Sequence, residues 1–127
     1  MSGRVVHFEI PYDDGARARA FYNDVFGWEM MEMPELSYTL VTSGPSGDEG
    51  PTELGFINGG MMQREEPFIS PNLVVDVVNI EDALQAVKDA GGTTVSERQA
   101  VGEMGFAAYF KDTEGNLVGI WESAPQG

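Results

Sequence analysis

Apolar and polar residues alternate from position 4 to position 10, and this period of two predicts a β-strand with His7 and Glu9 on its polar face. Asp13 or Asp14 can cap a helix that runs to about Phe26, because apolar residues then recur at intervals of three and four. Short apolar segments predict three more strands, at Trp28–Met33, Tyr38–Thr42 and Glu53–Ile57, and Asn58-Gly59-Gly60 is expected to end the last of them.

The same order of elements starts again after Pro71. Asn72–Val78 is a predicted strand, and Asn79 is a candidate N-cap for a helix that ends at Gly91-Gly92. Three further strands are predicted at Thr93–Ser96, Gly105–Lys111 and Leu117–Glu122.

The two halves form an internal repeat. Placing Gly27 on Gly92 gives an offset of 92 − 27 = 65 residues, at which the apolar face of the first strand falls on that of the strand after Pro71. The sequence therefore predicts an α+β protein with two βαβββ modules, residues 4–60 and 72–122, joined by a linker at 61–71 within a single domain, 1–127. Neither module can bury its sheet alone, so the modules are expected to pair around a cavity, with the helices outside.

The net charge of the protein limits the kinds of partner that it can bind. The 127 residues carry 21 acidic and seven basic side chains, a net charge of −14, which argues against nucleic-acid and membrane surfaces as partners. Acidic residues are scattered rather than clustered, which favours a halophile-type surface that stays soluble in strong salt. No cysteine is present, so disulfides and thiolate chemistry are excluded. The start of the chain has no apolar signal region, and we expect a cytoplasmic location.

The closing strand carries the most specific pattern. Residues 112–122 read D-x-x-G-N-x-x-G-x-W-E. This pattern, together with the paired βαβββ layout, resembles the vicinal oxygen chelate superfamily of glyoxalase I, bleomycin-resistance proteins and extradiol dioxygenases. The resemblance implies a half-barrel domain, a divalent-metal site between the modules and a homodimer.

In that superfamily the metal ligands come from the first and last strands of each module. The resemblance therefore points to His7 and Glu122, and the 65-residue offset adds Asn72 (7 + 65) and Ile57 (122 − 65). Isoleucine cannot ligate, and an enzyme metal usually needs three protein ligands. Asn72 could add a carbonyl oxygen to a hard cation. Because the loop at 44–51 leaves the alignment of the fourth strand open, Glu53 or Asn58 could also take the position of Ile57, and Glu53 would then complete a set of three ligands. The single histidine of the chain excludes the extradiol dioxygenase branch, which needs two.

Two functions remain open at this stage. One is a binding protein that holds a small molecule in the cavity, with a degenerate or weak divalent-metal site. The other is a metal-dependent lyase or isomerase of the glyoxalase type, which acts on a small oxygenated substrate. The residues expected to line the cavity are Glu9, Trp28, Tyr38, Ile57, Val74, Tyr109 and Ile120.

Overall fold

The computed structural model describes residues 3–125. The chain divides into two compact units, which are described separately. The N-terminal unit comprises residues 7–71, and the C-terminal unit comprises residues 3–6 and 72–125 of the described chain. No helix in this range is long and apolar enough to cross a membrane.

The N-terminal unit is one helix against a four-stranded sheet. Its elements are β1 (Val5–Tyr12, of which the first two residues belong to the C-terminal unit), α1 (Gly15–Phe26), β2 (Glu29–Met33), β3 (Tyr38–Thr42), the short hairpin β4 (Ser46–Gly47) and β5 (Gly50–Pro51), and β6 (Asn58–Gln63). A 3₁₀ turn at Pro34–Leu36 joins β2 to β3. The sheet order is β2-β3-β6-β1, with β1 and β6 parallel and the other pairs antiparallel.

The C-terminal unit repeats this plan. Its elements are β7 (Asn72–Asp76), α2 (Ile80–Asp89), β8 (Thr93–Val101), β9 (Gly105–Lys111) and β10 (Leu117–Ser123). The sheet order is β7-β10-β9-β8, with β7 and β10 parallel and the others antiparallel. The predicted α+β fold of two βαβββ modules is therefore confirmed.

Local chemistry accounts for the helix boundaries. The Asp14 side chain accepts a hydrogen bond from the Arg17 amide at 3.0 Å, and the Asn79 side chain accepts one from the Asp82 amide at 2.9 Å. These two N-caps lie 79 − 14 = 65 residues apart, the offset that the sequence predicts. Gly27 ends α1 with φ 74°, a left-handed conformation that favours glycine.

The prediction for the fourth strand of the first module is wrong. The strand is β6, Asn58–Gln63, whereas residues 53–57 lie outside any strand. Gly59 and Gly60 are central to β6 instead of ending it, because aromatic rings lie against both: the ring of Phe8 occupies the space of a Cβ at Gly59, and that of Tyr38 does so at Gly60. A strand glycine that admits a neighbouring ring has the same sequence signature as a strand breaker.

The two helices pack very differently. In α2, Ile80 and Leu84 are buried against Ala108 and Ile120 of the sheet. By contrast, α1 has no buried residue, and its Phe21 is 55% exposed and its Phe26 63% exposed. Tyr22 of α1 stacks on Trp28, just beyond the end of the helix, with ring centroids 5.0 Å apart and planes 7° apart.

Candidate functional site

A chain of three polar side chains lies on the sheet of the N-terminal unit. The hydroxyl of Tyr38 donates a hydrogen bond to Oε2 of Glu9 at 2.8 Å, and Nε2 of His7 lies 2.8 Å from the same hydroxyl oxygen. Since the one hydroxyl hydrogen is directed to Glu9, Nε2 of His7 must carry the hydrogen of the second bond. The order of donation is therefore His7 to Tyr38 to Glu9.

Strand geometry explains why these three side chains meet. His7 and Glu9 alternate in β1 with Phe8 and Ile10, so they share the face that points away from α1. The ring of Tyr38 reaches them across β6, and it crosses that strand where Gly60 has no side chain. Any Cβ at position 60 would overlap the Tyr38 ring and hydroxyl.

Burial sets the electrostatics of this cluster. Glu9 is only 4% exposed. Burial of a carboxylate is costly unless it accepts hydrogen bonds, and the Tyr38 hydroxyl donates one to Glu9. Burial lowers the pKa of His7 from its ordinary value of 6.5, and the negative charge of Glu9 opposes this effect in part. His7 is therefore a neutral imidazole at pH 7, with the hydrogen on Nε2.

The C-terminal unit has a matching arrangement that lacks the carboxylate. Gly119 of β10 is paired with Val74 and with Tyr109, and both of these side chains lie against it. Asn72, which is 6% exposed, lies on the same face of β7 as Val74. Where the N-terminal unit has a carboxylate at Glu9, the 65-residue offset places Val74 here, so the second face has no ionisable group at that position.

Glu122, the other predicted metal ligand, connects three elements of the C-terminal unit. Its Oε1 accepts a hydrogen bond from the Ile80 amide at the start of α2, at 2.9 Å. Arg98 of β8 binds both of its oxygens, at 3.2 and 3.0 Å. Hydrogen bonds from Arg98, and secondly from the Ile80 amide, lower the pKa of Glu122 below its ordinary value of 4.5.

The orientation of Glu122 follows from strand alternation. It shares a face of β10 with Ile120, which packs in the core against Ile80 and Leu84 of α2. Glu122 thus points to the helix side of its sheet. The residue of β10 that lies beside Val74 on the opposite face is Gly119, which has no side chain to offer a ligand.

The registers of the parallel pairs also change the predicted partner of Glu122. Ile10 pairs with Met61 in the first unit, and Val75 pairs with Ile120 in the second. The offset between the last strands is therefore 120 − 61 = 59, and Glu122 corresponds to Gln63 (122 − 59) rather than to Ile57. Six residues of loop length account for the difference between 65 and 59. Glu53, the alternative candidate, is exposed and lies outside β6.

Three of the residues that were expected to line a cavity lie elsewhere. Ile120 is 3% exposed in the α2 core, so it is a packing residue. Trp28 stacks on Tyr22 of α1. Ile57 precedes β6, and its carbonyl accepts a hydrogen bond from Ser43. The other four fall into two groups within their own units, Glu9 with Tyr38 and Val74 with Tyr109.

The chemistry of the donors does not fit the predicted metal set. Nε2 of His7 is bound to Tyr38, and both oxygens of Glu122 are bound to Arg98. Within residues 3–125, no group of three or more histidine, aspartate or glutamate side chains is placed to hold a metal ion.

The site residues that sequence reasoning did not indicate are Arg98 and Gly60. Arg98 is one of only seven basic residues in the chain, and that rarity is the signal that points to it.

Comparison with known proteins agrees with this fold. The family model for the bleomycin resistance protein-like N-terminal region matches residues 4–44. A glyoxylase-like domain-containing protein from Didymella fabae is 28% identical over 123 residues, which are 94% of each chain. A probable lactoylglutathione lyase from Vibrio parahaemolyticus is 28% identical over 124 residues, 92% of this chain and 88% of that protein.

Among solved structures, a methylmalonyl-CoA epimerase variant from Streptomyces coelicolor, in complex with 2-nitronate-propionyl-CoA, matches with a TM-score of 0.66. It is 14% identical, and the match covers 98% of this chain and all of the epimerase chain, so it shows a shared fold. Together these matches confirm the resemblance to the glyoxalase, bleomycin-resistance and dioxygenase proteins of the vicinal oxygen chelate superfamily.

Proposed function

We propose that this protein binds a small molecule on the sheet face that carries His7, Glu9 and Tyr38, and that its divalent-metal site is degenerate. The observation that carries the proposal is the hydrogen-bonded chain from His7 through Tyr38 to Glu9. A binding site for a small molecule is usually apolar with a few well-placed polar groups that fix the orientation of the ligand. The hydrogen-bonded side chains of His7, Tyr38 and Glu9 supply such groups, and strands β1 and β3 hold them in place.

The chain of hydrogen bonds also determines what the face offers to a ligand. Glu9 supplies negative charge that Tyr38 holds in one orientation, and neutral His7 keeps Nδ1 as an acceptor. These groups suit a ligand that presents hydrogen-bond donors, such as an amine, an amide or a hydroxyl. They do not suit a carboxylate, because the charge of Glu9 would oppose its burial.

Rearrangement would be needed before either predicted ligand bound a metal. His7 would have to release Tyr38 or turn to present Nδ1, and Glu122 would have to leave Arg98 and the α2 N-terminus.

A structural neighbour supports a small molecule as the ligand class: the methylmalonyl-CoA epimerase from Streptomyces coelicolor is in complex with 2-nitronate-propionyl-CoA.

The test is a thermal-shift screen of amines, amides and alcohols against the parent protein, followed by titration of the hits. We expect Glu9→Gln and Tyr38→Phe each to weaken a hit about tenfold, the effect of losing one hydrogen bond to a charged group. Glu103→Gln, an exposed change in the other unit, is the control and should leave the affinity unchanged. Hits that bind all four proteins equally would overturn the proposal.

A second candidate is a metal-dependent lyase or isomerase of the glyoxalase type. It is favoured by the 28% identity to a probable lactoylglutathione lyase over 92% of this chain. Elemental mass spectrometry of untagged protein separates the two candidates, with His7→Ala, Glu122→Ala and the control Glu103→Gln measured alongside. Near-stoichiometric metal in the parent and the control that is lost in both alanine variants would establish the His7/Glu122 metal site that the enzyme candidate requires, and isomerase and lyase substrates would then be screened. Absence of metal after incubation with divalent ions would exclude it.

A further inference from the structure

The N-terminal unit contains a cavity that is open to solvent on the other side of its sheet, beside α1. Its volume is about 320 Å³, which is at the lower end of the range for small-molecule sites. Ile10 and Met61 of the sheet form its floor, and Ala18, Phe21 and Tyr22 of α1 form one wall. The cavity is independent of the proposed function, because His7, Glu9 and Tyr38 lie on the opposite face.

Loose packing of α1 explains why this space exists. The helix buries none of its residues, although Met61 beneath it is fully buried and Ile10 is half-buried. In the C-terminal unit the corresponding space is filled, since Ile80 and Leu84 of α2 pack on Ile120. An apolar floor beneath a helix with exposed aromatic residues is suited to an apolar ligand.

The polar rim of the cavity indicates the chemistry of that ligand. Arg64 is committed, because it pairs with Asp13 at 2.9 Å and donates to the Ile69 carbonyl at 2.6 Å. Asp14 is committed as the cap of α1. Among the described residues, the guanidinium of Arg17 makes no hydrogen bond or ion pair. A free cation beside an apolar floor is unusual in a chain with 21 acidic residues.

We infer that this cavity is a binding site for a small apolar carboxylate, with the apolar part of the ligand over Ile10 and Met61 and its carboxylate on Arg17. Arginine binds a carboxylate in a planar, bidentate geometry, which would orient the ligand at the rim. Tyr12 and Tyr22, which also line the cavity, bring hydroxyl groups that can donate to the same anion.

Two isosteric probes, phenylacetate and phenylacetamide, test this inference. Each is titrated into ¹⁵N-labelled protein to about 10 mM, a range that suits ligands of this size. We expect shifts at residues 10, 18, 22 and 61, and binding of phenylacetate about five times tighter than that of phenylacetamide, because the carboxylate gains a charge-assisted hydrogen bond at a partly exposed site.

Three variants separate the contributions. Arg17→Gln should remove the preference for phenylacetate, whereas Arg19→Gln, on the same helix but paired with Glu32, should retain it. Ala18→Leu should fill the cavity and abolish binding of both probes while preserving the helix. Absence of shifts at residues 10, 18, 22 and 61, or binding by Ala18→Leu equal to that of the parent, would overturn the inference. A preference for phenylacetate over phenylacetamide that persists in Arg17→Gln would show that Arg17 does not bind the carboxylate.

Discussion

Glycines in the last strand of each unit make room for a tyrosine ring. Gly60 of β6 lies under Tyr38, and Gly119 of β10 lies under Tyr109. The two glycines correspond by the 59-residue offset between the last strands (119 − 60), but the rings come from different register positions, because Gly119 is paired with Tyr109 itself whereas Gly60 is paired with Leu40, two residues from Tyr38. In the first unit this clearance has a chemical consequence, because the Tyr38 hydroxyl reaches Glu9 only by crossing the backbone of β6.

Gly60→Ala is expected to destabilise the protein by about 2 kcal/mol, since the new methyl group and the Tyr38 ring cannot occupy the same space. Gly47→Ala is the matched control: its Cβ would meet only a methyl group of Thr52 at 3.7 Å, and we expect a change within about 0.5 kcal/mol. Urea unfolding of the two variants measures the difference. Equal stability of both variants would show that Tyr38 does not occupy this position.

The pKa of the His7 imidazole reports on the negative charge of Glu9. Burial holds the pKa of His7 below 6.5, and the carboxylate of Glu9 raises it in part. Glu9→Gln should therefore lower the pKa of His7 further, which an NMR titration of the only histidine in the sequence will show. Because the folded-state pKa lies below the unfolded value, the associated stability is complete above pH 6.5 and is lost as the pH falls towards the folded-state pKa. A His7 pKa that rises in Glu9→Gln would contradict the arrangement.

At the scale of elements, Glu122 joins the start of α2 to β8 and β10. It accepts from the Ile80 amide, one of the donors at the N-terminus of α2 that have no partner within the helix, and it binds Arg98. The guanidinium of Arg98 also lies 3.5 Å above the centre of the Phe106 ring. The carboxylate therefore acts in the architecture of the C-terminal unit, as a second cap of α2.

Glu122→Gln should lower the free energy of unfolding by about 1 kcal/mol at pH 7, because the glutamine amide keeps an acceptor for the Ile80 amide but loses the charge that binds Arg98. The gap between parent and variant should narrow in acid, because a carboxylate with a lowered pKa contributes stability that is present above pH 4.5 and is lost as the pH falls through the folded-state pKa. Glu103→Gln, an exposed change in the same unit, is the control. A gap between parent and Glu122→Gln that stays constant from pH 7 to acid would contradict the role of the ion pair.

Comparison of strands shows what sequence reasoning can and cannot predict here. Caps, helices and the first strands follow from local patterns, and Asp14 and Asn79 were predictable because capping acts within three residues. The location of β6 was not predictable, because Gly59 and Gly60 resemble a strand break until the rings of Phe8 and Tyr38 are placed beside them. The residue of the first module that corresponds to Glu122 depends on register, which a loop of free length leaves undetermined.

At the scale of the whole molecule, the net charge of −14 is the dominant property. Ion pairs among residues 3–125 include Arg19–Glu32, Arg64–Asp13 and Arg98–Glu122, and only seven basic side chains stand against 21 acidic ones in the sequence. Most carboxylates therefore have no cation beside them, and their mutual repulsion opposes the compact state.

Salt should stabilise this protein. In molar potassium chloride the screening length is only a few ångströms, so repulsion between exposed charges is largely removed. Screening also weakens the exposed ion pairs, but each of them contributes little to stability. We expect the thermal unfolding midpoint to rise by about 3 °C or more between dilute buffer and 1 M potassium chloride, equivalent to roughly 1 kcal/mol for a chain of this size. A midpoint that stays constant or falls would contradict the expectation of a halophile-type surface.

The stack of Trp28 on Tyr22 has a spectroscopic consequence. The chain has two tryptophans, and each unit has one of them: Trp28 in the N-terminal unit, and Trp121, whose indole donates to Ser123, in the C-terminal unit. Replacing either tryptophan with phenylalanine leaves a protein whose fluorescence reports on one unit alone. Superimposed unfolding curves from the two variants would identify a single cooperative molecule, whereas an earlier transition at Trp28 would identify the loosely packed α1 as the place where unfolding begins.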